Sequence, residues 1–197
     1  YHWYSILLVY LRRHEEAFLA ERRAMDLDPY SRVFNMGMAN ILAMLGRTDE
    51  SLREYKKLIE LNPDFSPAYF WKSDLHVLLS EFDTAVEDSK KSADLDGSPI
   101  SKLQLAWVYA VAGNKSEAVK ILNEVKGLTR DEYVRPVQIG LVELALGNRE
   151  EGFGWIEKGI AEKDSALLMF GSLPYFKEYR KDPLWRQIDE KLGLPKS

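Results

Sequence analysis

The chain has 197 residues, 46% hydrophobic and 29% charged, with 8 prolines, 12 glycines and no cysteine, which suits a buried core and excludes low-complexity, disulfide-stapled and zinc-thiolate classes. A net charge of -4 supplies no basic field for a phosphate backbone, so nucleic acid is not an expected partner. The longest wholly apolar run, residues 105–112, is far short of the roughly 20 residues a membrane-spanning helix needs, and no signal peptide is visible; no membrane partner and a cytoplasmic location are therefore expected.

Residues 2–11 and 15–27 pattern as two helices, with Ala17 and Ala24 as small residues on the second and Pro29 as its stop. Helical periodicity is already running at Trp3 and the first residue is Tyr1, so a piece of a longer protein is expected. Residues 32–63 show the same pattern most clearly: Ala39 and Ser51 stand where two helices would approach, Gly46 ends the first helix, and Pro63 follows the second. The third pair, residues 66–95, departs most. It keeps small residues at Ser73 and Ala85, but Lys72 and His76 stand at inward positions of the first helix, and Ser80 and Gly97 replace the expected glycine and proline. In the fourth pair, residues 99–125, Leu105, Ala106 and Tyr109 face inward, Gly113 closes the first helix, and Ala118 and Leu122 continue the second. Arg130 stands where proline is expected.

The fifth pair, residues 133–161, keeps Gly147 but carries Gly152, Gly154 and Gly159 inside its second helix. Each costs about 1 kcal/mol in propensity relative to alanine, so an intrinsically weak helix is expected. Beyond Asp164 the pattern stops. Residues 166–170 form a short apolar segment, 173–179 are aromatic-rich, and Asp182-Pro183 opens a last helix through 192, with Asp182 as N-cap.

Ala17, Ser51, Ala85, Ala118 and Gly152 fall at steps of 34, 34, 33 and 34 residues. A helix-turn-helix period of roughly 34 is the signature of the tetratricopeptide repeat, and the chain resembles that family. The resemblance implies an all-α, right-handed superhelix (an α-solenoid) of about five helical hairpins, with units near residues 1–30, 31–64, 65–97, 98–130 and 131–164. Residues 165–197 would be a capping helical tail. The segments HWYSILLVYLRRHEEAFLAERRAMDLDP, YAVAGNKSEAVKILNEVK, YVRPVQIGLVELALGNREEGFGWIEKG and DPLWRQIDEKLGLP look like the C-terminal tetratricopeptide regions of prokaryotic multidomain signalling proteins. In those proteins the array follows a winged-helix, adenylate-cyclase or serine/threonine-kinase domain. Arg12, where glycine is usual, departs from the pattern.

No constellation of catalytic residues stands out. The carboxylate pairs Glu15-Glu16, Asp49-Glu50 and Glu150-Glu151 each fall in the first turn of a helix, where the macrodipole favours negative charge. His2, His14 and His76 share no metal-ligand spacing, so no metal or cofactor is expected; His76 reads as a partly buried, hydrogen-bonded histidine. Gly152-Phe153-Gly154 lies inside a helical pattern with no preceding strand and is not a phosphate loop. Lys56-Lys57 and Lys90-Lys91, interleaved with Glu54, Glu60, Glu87 and Asp88, read as solvated outer faces. Trp155 and Trp185 read as core.

In the resembling family the concave wall is lined by the first helix of each hairpin. Register places Met36, Asn40, Met44, Phe70, Asp74, Leu78, Leu103, Trp107, Val111, Val137 and Leu141 on it. Such a mostly apolar wall suits a peptide or amphipathic helix of a protein partner, with Phe70 and Trp107 as anchors and Asn40 and Asp74 setting orientation. The competing reading buries some of these side chains under the tail or by superhelical curvature. Asn40 remains from the clamp by which resembling arrays grip a terminal carboxylate, but Met36, Ile100 and Gln104 occupy the places of its cations. The expected function is a non-catalytic protein-interaction scaffold; the alternative is a sensory or regulatory region of a larger enzyme or transcription regulator. A homodimer through the N-terminal hairpin is also expected, because Trp3, Tyr4, Leu7, Leu8 and Leu11 would lie on one apolar face.

Overall fold

The computed structural model describes residues 1–128, 133–170 and 179–191. Twelve helices account for the described regular structure, apart from one 3-10 turn at Tyr179–Lys181. They are α1 (His2–Tyr10), α2 (His14–Leu27), α3 (Arg32–Met44), α4 (Thr48–Leu61), α5 (Ser66–Leu78), α6 (Phe82–Asp96), α7 (Pro99–Val111), α8 (Lys115–Leu128), α9 (Pro136–Leu146), α10 (Arg149–Ala161), α11 (Ala166–Phe170) and α12 (Pro183–Lys191). Arg130 and all of 173–179 except Tyr179 lie outside the described residues, as does residue 192.

Each odd-numbered helix from α1 to α9 packs against the helix that follows it. The turn between them is built the same way every time. Arg12, Gly46, Ser80, Gly113 and Gly147 all take left-handed backbone, with φ of 59°, 74°, 61°, 86° and 94°. The amide of each bonds back three residues, and the next amide bonds back five, as in Arg13 N to Leu8 O and Arg47 N to Leu42 O, both 2.9 Å. This double closure satisfies the last carbonyls of the first helix and reverses the chain at once. The residue after the left-handed one then accepts the first hydrogen bond of the second helix, from Ala17, Ser51, Ala85, Ala118 and Gly152 in turn.

Those five small residues are fully buried. Facing them on the first helices stand Ser5, Ala39, Ser73, Ala106 and Gly140, also buried and also spaced by 34, 34, 33 and 34 residues. Small side chains at both points let the backbones of a hairpin approach, and in one hairpin a hydrogen bond joins them, from Ser51 Oγ to Ala39 O at 2.7 Å. Ser31 and Ser98 cap α3 and α7 with their hydroxyls, and Pro67, Pro99 and Pro136 start their helices where no amide is needed. Asp182 accepts from Leu184 N at 2.9 Å, so the last helix opens as its sequence predicts.

Contacts divide the chain into two compact units. One consists of residues Tyr1–Pro63 with Leu168–Ser197, and the other of Asp64–Leu167. In the first, Leu8, Val9, Ala17, Ala20 and Ile41 form a core flanked by Tyr10, Phe18, Met44 and Leu45. In the second, the fully buried residues include Leu103, Val108, Val125, Val137, Ile139, Val142 and Ile156.

Candidate functional site

In the first unit the expected wall residues are Met36, Asn40 and Met44, one turn apart along α3 and all half-buried. The Tyr55 hydroxyl of α4 donates to Asn40 Oδ1, which fixes the amide between the two methionines. Beside this row the packing depends on a missing side chain. A Cβ on Gly37 would lie 2.5 Å from Glu21 Oε1, so glycine is what admits the fully buried Glu21 carboxylate against α3. The Glu21 carboxylate has local partners: His2 Nδ1 lies 2.8 Å from Oε1, and Ser5 Oγ donates to Oε2. The His2 ring in turn packs on Phe34, with centroids 5.0 Å apart.

In the second unit the residues expected on the wall lie on α5, α7 and α9. Phe70, Asp74, Leu103 and Trp107 are 8%, 3%, 1% and 5% exposed, while Leu78 and Val111 are half-buried and Val137 and Leu141 lie in the core. Gln104 Nε2 of α7 donates to Asp74 Oδ1 of α5 and lies 3.5 Å from Ser73 Oγ. The two residues stand 30 positions apart and tie consecutive first helices through a buried polar bond. Phe70 meets Trp71 edge-on at 5.0 Å between centroids.

Two charged networks sit in the second unit. Lys72 Nζ of α5 lies 3.0 and 2.9 Å from the two oxygens of Asp88 on α6. His76 lies between carboxylates, with Nδ1 2.6 Å from Glu81 and Nε2 3.5 Å from Asp88. The departure at Lys72 and His76 is thus answered from the second helix. Asp88 is a correction to the sequence reading: it is buried, while its neighbours Glu87, Lys90 and Lys91 are exposed as expected. The i, i+4 spacing of Lys72 and His76 sets both on one face of α5, but it does not say which residue of α6 meets them.

The second network joins α8, α9 and α10. Lys126 Nζ donates to Glu143 Oε1 and, at 2.5 Å, to Glu151 Oε1, and Asn148 Nδ2 donates to Glu143 Oε2 at 2.6 Å. Burial pushes the Lys126 ammonium down, but the two carboxylates together outweigh it and hold its pKa above the ordinary lysine value. The Lys126 hydrogen bond in turn holds the Glu151 carboxyl below its usual range. Trp155, half-buried, lies between Lys126 Nζ at 5.7 Å and Lys158 Nζ at 4.9 Å. It lines an open hollow of about 290 Å³ with Glu151, Gly154 and Lys158. Trp185 is fully buried. Among the described residues no three His, Cys, Asp or Glu side chains gather in a way that could hold a metal ion, and no helix is long and apolar enough to cross a membrane.

No curated protein matches the sequence significantly. The tetratricopeptide-repeat family model matches residues 34–65. Among solved structures, the chain is similar to TTC0263, a thermophilic tetratricopeptide protein of Thermus thermophilus, at 19% identity and a TM-score of 0.68, over 87% of this chain and 94% of that one. It is similar to a tetratricopeptide repeat protein of Parabacteroides merdae at 17% identity and a TM-score of 0.65, over 98% of this chain and 77% of that one. A third similar structure is the Cut9-Hcn1 hetero-tetramer of the APC/C, at 17% identity and a TM-score of 0.62, over 83% of this chain and 33% of that one. At these identities the likeness concerns the fold, and folds of this kind generally serve protein–protein interaction. Residues 34–65 match the tetratricopeptide repeat, and the chain around them has the tetratricopeptide-repeat fold.

Proposed function

We propose that the chain is a non-catalytic scaffold that binds a peptide or helix of a protein partner along the exposed sides of its first helices, in the cytoplasm. The observation that carries this reading is the α3 row of Met36, Asn40 and Met44, half-buried, with a fixed amide between two adaptable thioethers. In the unit of residues Asp64–Leu167, taken by itself, Phe70, Asp74, Leu103 and Trp107 are 8% exposed or less and back Leu78, which is half-buried there. Affinity then comes from apolar burial at about 25 cal/mol per Å², and not from a cationic clamp, since Met36, Ile100 and Gln104 carry no charge. Residues 1–164 serve as the repeat array and 165–197 as its capping segment. The resemblance of the quoted segments to repeat regions of signalling proteins supports the alternative of a regulatory region in a larger enzyme or transcription regulator, which the full-length gene product decides.

The test is selection of a random peptide library on the chain, followed by anisotropy with the enriched peptide. The expected result is an apolar or amphipathic motif that loses roughly tenfold or more in affinity on Met36→Asp, Met44→Asp substitution. Enrichment of acidic C-terminal peptides, with salt-sensitive binding lost on amidation of the carboxylate, overturns the reading.

A further inference from the structure

Sulfur is concentrated in one helix. The chain has 5 methionines and no cysteine, and Met36, Met38 and Met44 all lie on α3. Met38 is buried, at 6% exposure, whereas Met36 and Met44 are half-buried on the row with Asn40. The same register positions of later first helices carry no sulfur: Phe70, Leu103 and Val137 correspond to Met36, and Leu78 and Val111 to Met44. A thioether is the apolar side chain that a mild peroxide converts directly into a polar one.

Between the two sulfurs stands a hydrogen-bond donor. The Tyr55 hydroxyl holds Asn40 Oδ1, which directs the Nδ2 branch away from Tyr55, one helical turn from Met36 on one side and from Met44 on the other. A thioether is a weak acceptor for those hydrogens, but a sulfoxide oxygen is a good one.

We infer that Met36 and Met44 are sites of reversible oxidation that turn the α3 row from apolar to polar. The step balances with hydrogen peroxide as oxidant. A sulfur lone pair forms the S–O bond, the O–O bond breaks, the sulfur is oxidised by two electrons, and the second peroxide oxygen leaves as water. Asn40 Nδ2 then donates to the new oxygen. Reversal takes two electrons from a dithiol, which becomes a disulfide while the sulfoxide oxygen leaves as water. The consequence for binding rests on the scaffold reading: an apolar partner that seats on two thioethers meets polar S–O groups it cannot satisfy.

Peroxide treatment followed by tandem mass spectrometry tests the inference. Oxidation is expected at Met36 and Met44 well ahead of Met38 in the same helix, with an unchanged circular dichroism spectrum. A fluorescein-labelled peptide enriched from the random library is expected to lose roughly tenfold or more in affinity for the oxidised chain. Methionine sulfoxide reductases with dithiothreitol are expected to restore it. Met25 and Met169 are also half-buried. A Met36→Leu, Met44→Leu variant keeps them, and its affinity, whatever its starting value, is expected to be the same before and after peroxide. The inference is overturned if Met38 oxidises as fast as its neighbours, if helix is lost on oxidation, or if the oxidised chain binds as before. A loss that the reductases do not reverse, or an equal loss in the leucine variant, overturns it as well. A chain that binds no library peptide before oxidation refutes the scaffold reading instead, and the order of oxidation then still decides whether Met36 and Met44 are the reactive sites.

Discussion

Gly140 of α9 and Gly152 of α10 face each other so closely that a Cβ on Gly140 would lie 2.7 Å from the Gly152 carbonyl oxygen. A Cβ on Gly152 would meet Leu144 Cγ at 2.7 Å, and one on Gly159 would meet Val137 Cγ2 at 2.5 Å, whereas one on Gly154 would meet nothing within 4 Å. The glycines of α10 therefore separate into two that admit the neighbouring helix and one that only lowers propensity. Gly154→Ala is expected to stabilise the chain by about 1 kcal/mol, the difference in helix propensity. Gly140→Ala and Gly152→Ala are expected to destabilise it by about 1–3 kcal/mol through overpacking. Urea denaturation of the three variants checks both signs, and a uniform stabilisation would mean that propensity rules the whole helix.

The left-handed turn positions make a second contrast. Three of them are glycine, but Arg12 and Ser80 hold φ of 59° and 61° with a side chain in place. Arg12→Gly and Ser80→Gly are each expected to raise stability by about 1 kcal/mol, whereas Gly46→Ala and Gly113→Ala lower it by about 1–2 kcal/mol. Thermal unfolding would show the pairs moving in opposite directions.

Glu143 is a buried carboxylate whose main counter-charge comes from Lys126. Lys126→Met should cost about 3–5 kcal/mol, because it strands that charge, while the double change Lys126→Met, Glu143→Leu should recover most of the loss. The pH dependence has a definite sign. A lysine whose pKa is raised on folding contributes stability that is complete below its ordinary value and is lost as pH rises through the folded one. Denaturation midpoints should hold steady across neutral pH and drop on the alkaline side, and the double variant should lack that drop.

His14 behaves in the opposite way. Burial lowers its pKa, and the guanidinium groups of Arg180 and Arg12 lower it further. Its Nε2 is buried without a hydrogen-bond partner, and it begins α2, where the macrodipole also disfavours a cation. The folded state therefore keeps the imidazole neutral after the unfolded chain has taken up a proton. Stability is expected to be flat above about pH 6.5, the ordinary histidine value, and to fall as pH drops below it. Stability measured between pH 7.5 and 5 should show this slope reduced in His14→Gln.

Much of this was legible in the residues themselves. The recurrence of Ala17, Ser51, Ala85, Ala118 and Gly152 fixes where hairpins close, because a helix pair must bring small residues together once per repeat. Register likewise identifies Arg12 and Ser80 as turn residues that composition alone would leave inside a helix. The polar pairs were not legible. Gln104 reaches Asp74 only because one first helix lies against the next, and Asp88 meets Lys72 only because α6 turns that side inward. Helical periodicity tells which residues share a face, but not which charge on the neighbouring helix will answer it.

The division of contacts also has a consequence for the order in which the chain can fold. Residues Asp64–Leu167 are continuous, whereas the other unit needs residues Tyr1–Pro63 together with Leu168–Ser197. During synthesis the continuous unit has all of its chain available first, although its synthesis starts second. Residues Tyr1–Pro63 are made first but share their unit with residues from Leu168 onward, so this unit is completed after the one that follows it in the chain, against the usual N-terminal-first order. Removing the residues from Leu168 onward is then expected to be felt in the unit of Tyr1–Pro63 and to spare Asp64–Leu167.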